Sequence, residues 1–141
     1  MAIYSLGTPT GVVQPGIEIR TSSTDRARVL EVSYNLTATA ASAWTFGIGR
    51  PAAIGITPTA PITFLAENPG DPVGTVTSAI AWGTAPTAPT AFFRRFRYFG
   101  TVYVQWRFDE GLVIAVSSSI VAQWAIVGTN IATAFYCVVD E

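Results

Sequence analysis

The sequence predicts an all-β protein, an antiparallel and jelly-roll-like β-sandwich of about eight to ten short strands. Apolar residues recur at every second position in segment after segment, which is the period of a β-strand. Clusters of proline, glycine, asparagine and threonine separate these segments, as is typical of turns. No window of helical length has the spacing of an amphipathic helix. A sandwich or closed barrel of antiparallel strands accounts for all three observations.

The alternating segments follow one another along the chain. One predicted strand places Leu30, Val32, Tyr34 and Leu36 on a single face. The last segment, residues 131–139, is apolar on both faces, which predicts a strand buried on both sides. The other stripes are Trp44, Phe46 and Ile48; Ile62, Phe64 and Ala66; Val76, Ile80 and Trp82; Val102, Val104, Trp106 and Phe108; Ile120, Ala122, Trp124 and Ile126.

The breaks divide the chain into two parts. Residues 1–16, rich in glycine and proline, are predicted to form an extended N-terminal arm, and residues 17–141 a single sandwich domain. Deleting the arm is therefore expected to leave the sandwich folded. Within the domain, residues 99–101 and 109–111 have the composition of hairpin connections.

The composition excludes most catalytic chemistry. The 141 residues include no histidine and no lysine, so Ser-His-Asp and Cys-His arrangements, a Schiff base and a phosphate-loop lysine cannot be built. One cysteine, Cys137, is too little for a zinc site or an internal disulfide. The pairs Asp109-Glu110 and Asp140-Glu141 are adjacent, point to opposite faces of a strand, and are interpreted as turn and terminal charges. We expect no enzyme activity, no metal and no cofactor.

Charge and hydropathy also limit the partners. The formal net charge is −1, too weak a field to attract nucleic acid or an anionic membrane, so neither partner is expected. Residues 111–139 carry no charge and could span a bilayer by length, but polar residues divide them into pieces of strand length. The first residues lack the basic region of a signal peptide. Charged residues make up only 12% of the chain, so either small polar residues or another chain must cover much of its surface.

One segment stands out as a candidate interface. In residues 92–99 arginines alternate with aromatic residues, a composition enriched at protein–protein interfaces. An ordinary packed strand would show the same pattern, and stacking on single-stranded nucleic acid is a further alternative, although neither predicted face is purely basic. The candidate interface residues are Phe92, Phe93, Arg94, Arg95, Arg97 and Tyr98.

The four tryptophans have two interpretations. Exposed tryptophans stack on sugars, which would fit a lectin-like module. Each of them, however, lies on an apolar stripe together with its neighbours, which favours packing in the core or at an interface. The four are Trp44, Trp82, Trp106 and Trp124.

The order of several segments resembles the small jelly-roll decoration, or cement, proteins on the capsids of tailed bacteriophages. The likeness extends from about Glu18 onward and is one of style and order, without a diagnostic motif. The segments that carry it are residues 28–32 (RVLEV), 47–53 (GIGRPAA), 81–84 (AWGT), 92–95 (FFRR), 111–114 (GLVI) and 138–141 (VVDE).

The resemblance implies a non-enzymatic virion protein on the outer capsid surface, made in the host cytoplasm and often a homotrimer, with the major capsid protein as its partner. On this interpretation Arg94, Arg95 and Arg97 are expected to meet carboxylates of the capsid. The alternative is a binding module of a head fibre or tail that recognises a host sugar or receptor. A cement protein would copurify with capsids in many copies, whereas an adhesin would be present in few copies and bind host cells.

Overall fold

The computed structural model describes residues 2–7, 16–36, 43–126 and 133–141, with the backbone only at residues 124–126 and 133. These residues form strands, turns and loops, and no helix. In chain order the strands are β1 (Ile3–Gly7), β2 (Gly16–Arg20), β3 (Ala27–Leu36), β4 (Trp44–Gly49), β5 (Ile56–Pro58), β6 (Pro61–Ile62), β7 (Leu65–Ala66), β8 (Thr77–Ala79), β9 (Trp82–Thr84), β10 (Phe92–Tyr98), β11 (Val104–Ile114), β12 (Ser119–Ile126) and β13 (Thr133–Asp140).

Eight of the strands have five or more residues and make two antiparallel sheets. One sheet has the order β11-β3-β13-β1-β7, and the other has the order β10-β4-β12-β2-β8-β6. Numbered only among themselves, the eight long strands run 6-3-8-1 in the first sheet and 5-4-7-2 in the second. This is the strand order of a jelly roll, built from two Greek keys. The predicted fold class is therefore confirmed.

The core lies between the inner faces of the two sheets. Its centre is aromatic: the Tyr34 and Phe46 rings stack with centroids 4.4 Å apart, and Phe46 also stacks on Trp106. Trp44 is buried, and its indole Nε1 donates a hydrogen bond to the Gly100 carbonyl at 2.9 Å. Each sheet presents every second side chain to this layer, which explains the period-two pattern of the sequence.

The segment between β4 and β10 is an insertion on the jelly roll. It carries the short strands β5 to β9, of which β5 and β9 pair with each other in a separate two-stranded sheet. The other three extend the main sheets, because β6 and β8 continue the second sheet while β7 pairs with β1 at the edge of the first. The insertion therefore closes the side of the sandwich opposite β10 and β11.

The predicted N-terminal arm is wrong for its first part. Ile3–Gly7 forms β1, which pairs with β13 along its whole length, and the side chains of Tyr4 and Leu6 are buried. The glycines and prolines that suggested an arm lie mostly in residues 8–15, outside the described residues. Because β1 is an internal strand of its sheet, removal of residues 1–16 is expected to unfold the domain.

Two predicted hairpins are also wrong. Residues 109–111 lie inside β11, where the pairing with β3 shifts between Arg107 and Leu112 at a bulge and Gly111 adopts a φ of 71°. Residues 99–101 connect β10 to β11, which belong to different sheets, so the connection is an arch across the sandwich. In both places the turn-like composition reflects positive-φ glycine, which bulges and arches use as hairpins do.

The last strand is buried on its inner face and only in part on its outer face. In β13 the side chains of Phe135, Cys137 and Val139 are buried, whereas Tyr136 is 38% exposed. The prediction of burial on both faces is therefore wrong. On the outer side of β13, Ala134 and Tyr136 are exposed, Val138 is half-buried and Asp140 is buried.

Candidate functional site

The candidate interface segment is an edge strand. β10 pairs with β4 on one side only and closes the second sheet, directly across the sandwich from β11, the edge of the first sheet. The register places Phe96 opposite Phe46 and Tyr98 opposite Trp44, which fixes which side chains face inward. The outer backbone edge of β10 has no partner strand in the described part of the chain.

On the inner face, β10 closes the open side of the sandwich. The guanidinium of Arg94 lies 4.7 Å from the centroid of the Phe108 ring on β11, and Phe96 contacts Trp106 at 6.0 Å between centroids. Tyr98 packs against Trp44 at 4.9 Å, and burial raises the pKa of its hydroxyl. This face is anchored at Tyr98 and becomes more exposed toward Phe96, whose side chain is 56% exposed.

On the outer face, guanidinium groups lie over aromatic rings. Arg95 covers the Phe92 ring at 4.6 Å, and Arg97 lies 5.8 Å from the centroid of Phe99. Gly47 on β4 makes this arrangement possible, because a Cβ there would lie 2.7 Å from the Phe92 Cδ1 atom. Cation–π pairs at exposed sites contribute about 0.5–1 kcal/mol each, enough to orient the arginines without burying their charge.

A bulge places a fourth cation–aromatic pair at the start of β10. The pairing with β4 shifts between Phe92 and Arg94, which leaves Phe93 as the extra residue. Its ring, 40% exposed, lies under the guanidinium of Arg50 at 4.7 Å. Arg50 is held in place by a hydrogen bond that its Nη2 donates to the Val113 carbonyl at 2.7 Å.

The arginines of β10 have no acidic partner within the described chain. The ion pairs found among the described residues are Arg20–Glu18 and Arg107–Glu31, and neither involves this strand. Phe99 is 70% exposed beside Arg97. We call the surface formed by residues 92–99 the β10 edge. It combines unpaired positive charge, exposed aromatic rings and an unpaired strand edge.

All six candidate residues lie on the β10 edge, but they have different surroundings. Arg94, Arg95 and Arg97 are exposed, whereas Phe92 and Tyr98 are half-buried and hold the strand to the sandwich. The alternation of the sequence predicted the two faces correctly from Arg94 onward. It is wrong at Phe92, which was expected on the face of Arg94 and lies beside Arg95 on the outer face, because the bulge at Phe93 shifts the alternation. Sequence alone could not show that the strand is at an edge.

One polar cluster was missed in the sequence. Glu18, on the outer face of β2, is fully buried. Its Oε1 accepts hydrogen bonds from the Gly55 N–H at 3.0 Å and the Ser119 hydroxyl at 2.7 Å. Its Oε2 accepts one from the Trp82 indole at 2.9 Å, and Arg20 lies 4.0 Å away. No local pattern marks this cluster, because its members are brought together by the insertion.

The Glu18 cluster holds the insertion to the sandwich. Glu18 and Ser119 belong to the second sheet, whereas Gly55 and Trp82 belong to the insertion. Arg20 adds a bond from its Nη1 to the Gly55 carbonyl at 2.9 Å. Both oxygens of the buried Glu18 carboxylate accept hydrogen bonds. The cluster therefore joins the insertion to the sandwich and has no free group for chemistry.

The other candidate chemistry finds no support in the described residues. Asp109 and Glu110 are exposed at the bulge of β11, while Asp140 is buried. No group of three or more acidic or cysteine side chains in the described ranges is arranged to hold a metal ion. Cys137 is buried in the core, and burial raises the pKa of its thiol.

The sequence also raised a membrane span and the stacking of exposed tryptophans on sugars. The structure bears on each of these alternatives only in part. Within the described residues no helix is long and apolar enough to cross a membrane. Trp44 and Trp106 are core residues and Trp82 belongs to the Glu18 cluster, while the side chain of Trp124 lies outside what is described.

Comparisons with family models, with curated proteins and with solved structures found no match to this chain.

Proposed function

We propose that the protein is a structural component of a tailed-bacteriophage virion, a decoration or cement protein that binds the outside of the capsid as a homotrimer and stabilises it. The observation that carries the proposal is the β10 edge, a protein-binding type of surface on a rigid jelly roll. The order of sequence segments supports the same proposal by its resemblance to small jelly-roll cement proteins.

The chemistry of the β10 edge favours a protein partner over a sugar. The rings of Phe92 and Phe93 already have guanidinium groups over one face, so those faces are not free for stacking on a sugar ring. Arginine forks with flanking aromatics are the residues that most often dominate protein–protein contacts. They bind carboxylates through two parallel hydrogen bonds, which gives orientation as well as affinity.

The β10 edge also suits an assembly whose affinity comes from several identical weak contacts. A single contact of this size is weak, but a trimer on a symmetric capsid site engages three contacts at once, which multiplies the affinity. The charged strand and the bulge at Phe93 discourage uncontrolled edge-to-edge aggregation before the partner is met. A protein that must stay soluble until it meets a capsid needs both properties.

The direct test is sedimentation of the purified protein with undecorated capsids of the phage that encodes it. Wild-type protein is expected in the capsid pellet, and the decorated capsids are expected to withstand higher temperature than bare ones. The double variant Arg94→Ala/Arg95→Ala is expected to pellet at least tenfold less well at equal concentration, since buried charge contacts cost about 1.4 kcal/mol or more when truncated.

The matched control is Arg26→Ala, which removes an exposed arginine outside β10 and should leave sedimentation unchanged. Wild-type protein that stays in the supernatant with its own capsids would rule out the cement function. Binding to host cells by that same protein would then favour the head-fibre or tail module.

A further inference from the structure

Strand β10 and the opposite side of the sandwich carry opposite charge, while the neighbouring strand β11 contributes the exposed Asp109 and Glu110 to the β10 side. Arg94, Arg95 and Arg97 lie on the β10 edge. On the opposite side, near β1 and β7, are four carboxylates that have no arginine within 4.0 Å among the described residues. They are Asp25, Glu67, Asp71 and Glu141. The chain has only eight basic and nine acidic side chains, so this separation involves seven of its seventeen charges.

The acidic side has a defined structure. Thr75 bridges two of its carboxylates: its N–H and hydroxyl groups donate to Glu141, and the hydroxyl also reaches Asp25. Tyr4 lies in the same groove, and its hydroxyl donates to the Pro72 carbonyl at 3.0 Å. Burial, and then the charges of Glu141 and Asp71, raise the pKa of this hydroxyl.

Apolar side chains protrude beside those carboxylates. Leu65 on β7 is 68% exposed, and Val73, in the loop after Asp71, is 94% exposed. Together with Glu67 and Asp71 they form a surface that, like the β10 edge, combines charge with exposed apolar side chains, but with the opposite charge. We call this surface, residues 65–75, the acidic edge. Arg26 and Arg28 line a neighbouring groove together with Asp140 and Glu141.

We propose that the β10 edge of one copy of this chain binds the acidic edge of a second copy. The proposal rests on the homotrimer of the proposed function and names its contact surfaces. Arginines of β10 would pair with Glu67 and Asp71, while exposed Phe96 and Phe99 would cover Val73 and Leu65. In such a trimer the β10 edge lies between copies, so the weaker capsid binding expected of Arg94→Ala/Arg95→Ala follows from loss of the trimer and of its three simultaneous capsid contacts.

The geometry makes this contact head-to-tail. The two surfaces lie on opposite edges of one molecule, so each copy offers one surface to each neighbour. Repetition of such a contact gives a ring, here the proposed trimer, when the rotation between copies closes, and an open chain when it does not. Pairing of β10 with a second β10 is disfavoured, because arginines would then face arginines across the strands. The charges of the β10 edge therefore favour binding to the acidic edge of another copy and disfavour pairing with a second β10 edge.

Charge reversal tests the proposal in solution, without capsids. Sedimentation velocity at low salt would compare wild-type protein with Arg95→Glu/Arg97→Glu, with Glu67→Arg/Asp71→Arg, and with all four substitutions combined. Wild-type protein is expected to sediment as a particle of three 15.0 kDa chains. Each double variant is expected to need at least about tenfold higher concentration to associate.

The combined variant is the decisive arm. It has the net charge of wild-type protein and opposite charges on the two edges again, so its association should be restored. All four positions are on exposed or partly exposed side chains, and thermal unfolding by circular dichroism would verify that every variant is folded. Raising the salt concentration supplies a readout that needs no variant, since it should weaken wild-type association.

Three outcomes would overturn the proposal: a wild-type monomer at micromolar concentration, double variants that associate as wild-type does, or a combined variant that stays dissociated although folded. A wild-type oligomer that passes these tests but ignores capsids would end the capsid proposal and leave this one standing. A wild-type monomer that nevertheless coats capsids would do the reverse.

Discussion

The charged side chains of the Glu18 cluster and of the β10 edge have opposite roles. In the first, a carboxylate is fully buried and accepts hydrogen bonds from a backbone amide, a hydroxyl and an indole. In the second, three guanidinium groups are exposed and lie over aromatic rings. A buried charge with every bond made within the chain stabilises the fold, whereas an exposed charge with no partner of opposite sign is available for another molecule.

Removal of the buried Glu18 carboxylate should lower the free energy of unfolding more than any other change considered below. Glu18→Ala would leave the donors of Gly55, Ser119 and Trp82 without an acceptor in a site closed to water. We expect the free energy of unfolding to fall by about 3–5 kcal/mol, measured by chemical denaturation. Glu110→Ala, which removes an exposed carboxylate, should change it by less than about 0.5 kcal/mol. Equal effects of the two variants would contradict the structural role of Glu18.

Two glycines allow the packing of the two regions to be compared, because one lies against the Glu18 cluster and the other against the β10 edge. A Cβ at Gly55 would lie 2.6 Å from the Trp82 indole Nε1 and 2.8 Å from the Glu18 Oε2, inside the buried cluster. A Cβ at Gly47 would meet Phe92 and Arg95, whose side chains can move outward. We expect Gly55→Ala to cost about 1–3 kcal/mol of stability and Gly47→Ala less than about 1 kcal/mol.

The control for both glycine variants is Gly70→Ala, where no atom lies closer than 3.6 Å to the added Cβ. Urea denaturation of the three proteins gives the ranking. A Gly47→Ala variant as unstable as Gly55→Ala would mean that the outer face of β10 is packed as rigidly as the core.

The arginines of β10 should contribute little to folding. Arg95→Ala/Arg97→Ala removes two cation–π contacts and no ion pair, so we expect a loss of stability of about 1–2 kcal/mol at most. The same variant should associate measurably less well than wild-type protein. Thermal melts and sedimentation on one preparation would test both statements. A large loss of stability with unchanged association would make the edge part of the fold instead of a docking surface.

Glu31 is half-buried, between the buried Glu18 and the exposed arginines of β10, and its substitution should have the smallest effect on stability. It is held by hydrogen bonds from Gln105 Nε2 at 2.6 Å and Arg107 Nε at 2.9 Å, which lower its pKa. A carboxyl whose pKa is lower in the folded state stabilises the fold above its unfolded pKa, about 4.3, and loses that contribution as pH falls through the folded value.

Glu31→Gln should therefore cost about 0.5 kcal/mol at pH 7 and less at pH 3. Denaturation curves of the two proteins at both pH values measure the difference. A cost that stays constant with pH would show that packing of the side chain, and not its charge, is what the substitution removes.

How much the sequence could predict depended on how local each feature is. The stripes Trp44, Phe46, Ile48 and Val104, Trp106 predicted strands because alternation is a property of consecutive residues. The alternation of Leu30 with Val32 failed, since pairing jumps from Glu31 to Val29 and leaves Leu30 at a bulge. A bulge shifts the phase of a strand without any change in composition.

Features that depend on distant segments were beyond sequence reasoning. Glu18 meets Gly55, Trp82 and Ser119 across 37 to 101 positions of the chain, so nothing near Glu18 marks its burial. The first strand was missed for the same reason, because Ile3–Gly7 is stabilised by its pairing with Thr133–Asp140 at the other end of the chain. The β10 edge was predictable in composition, while its place at the margin of a sheet was not.

Amide hydrogen exchange at two protein concentrations would show whether the β10 edge is a docking surface, since it reports on each strand of unmodified protein separately. We expect the protection of residues 92–98 and of residues 65–75 to rise when the concentration passes from monomeric to associated protein. Protection around Glu18 should be high and unchanged at both. Exchange in β10 that does not depend on concentration, or a concentration effect confined to other strands, would contradict the claim that the β10 edge is a docking surface.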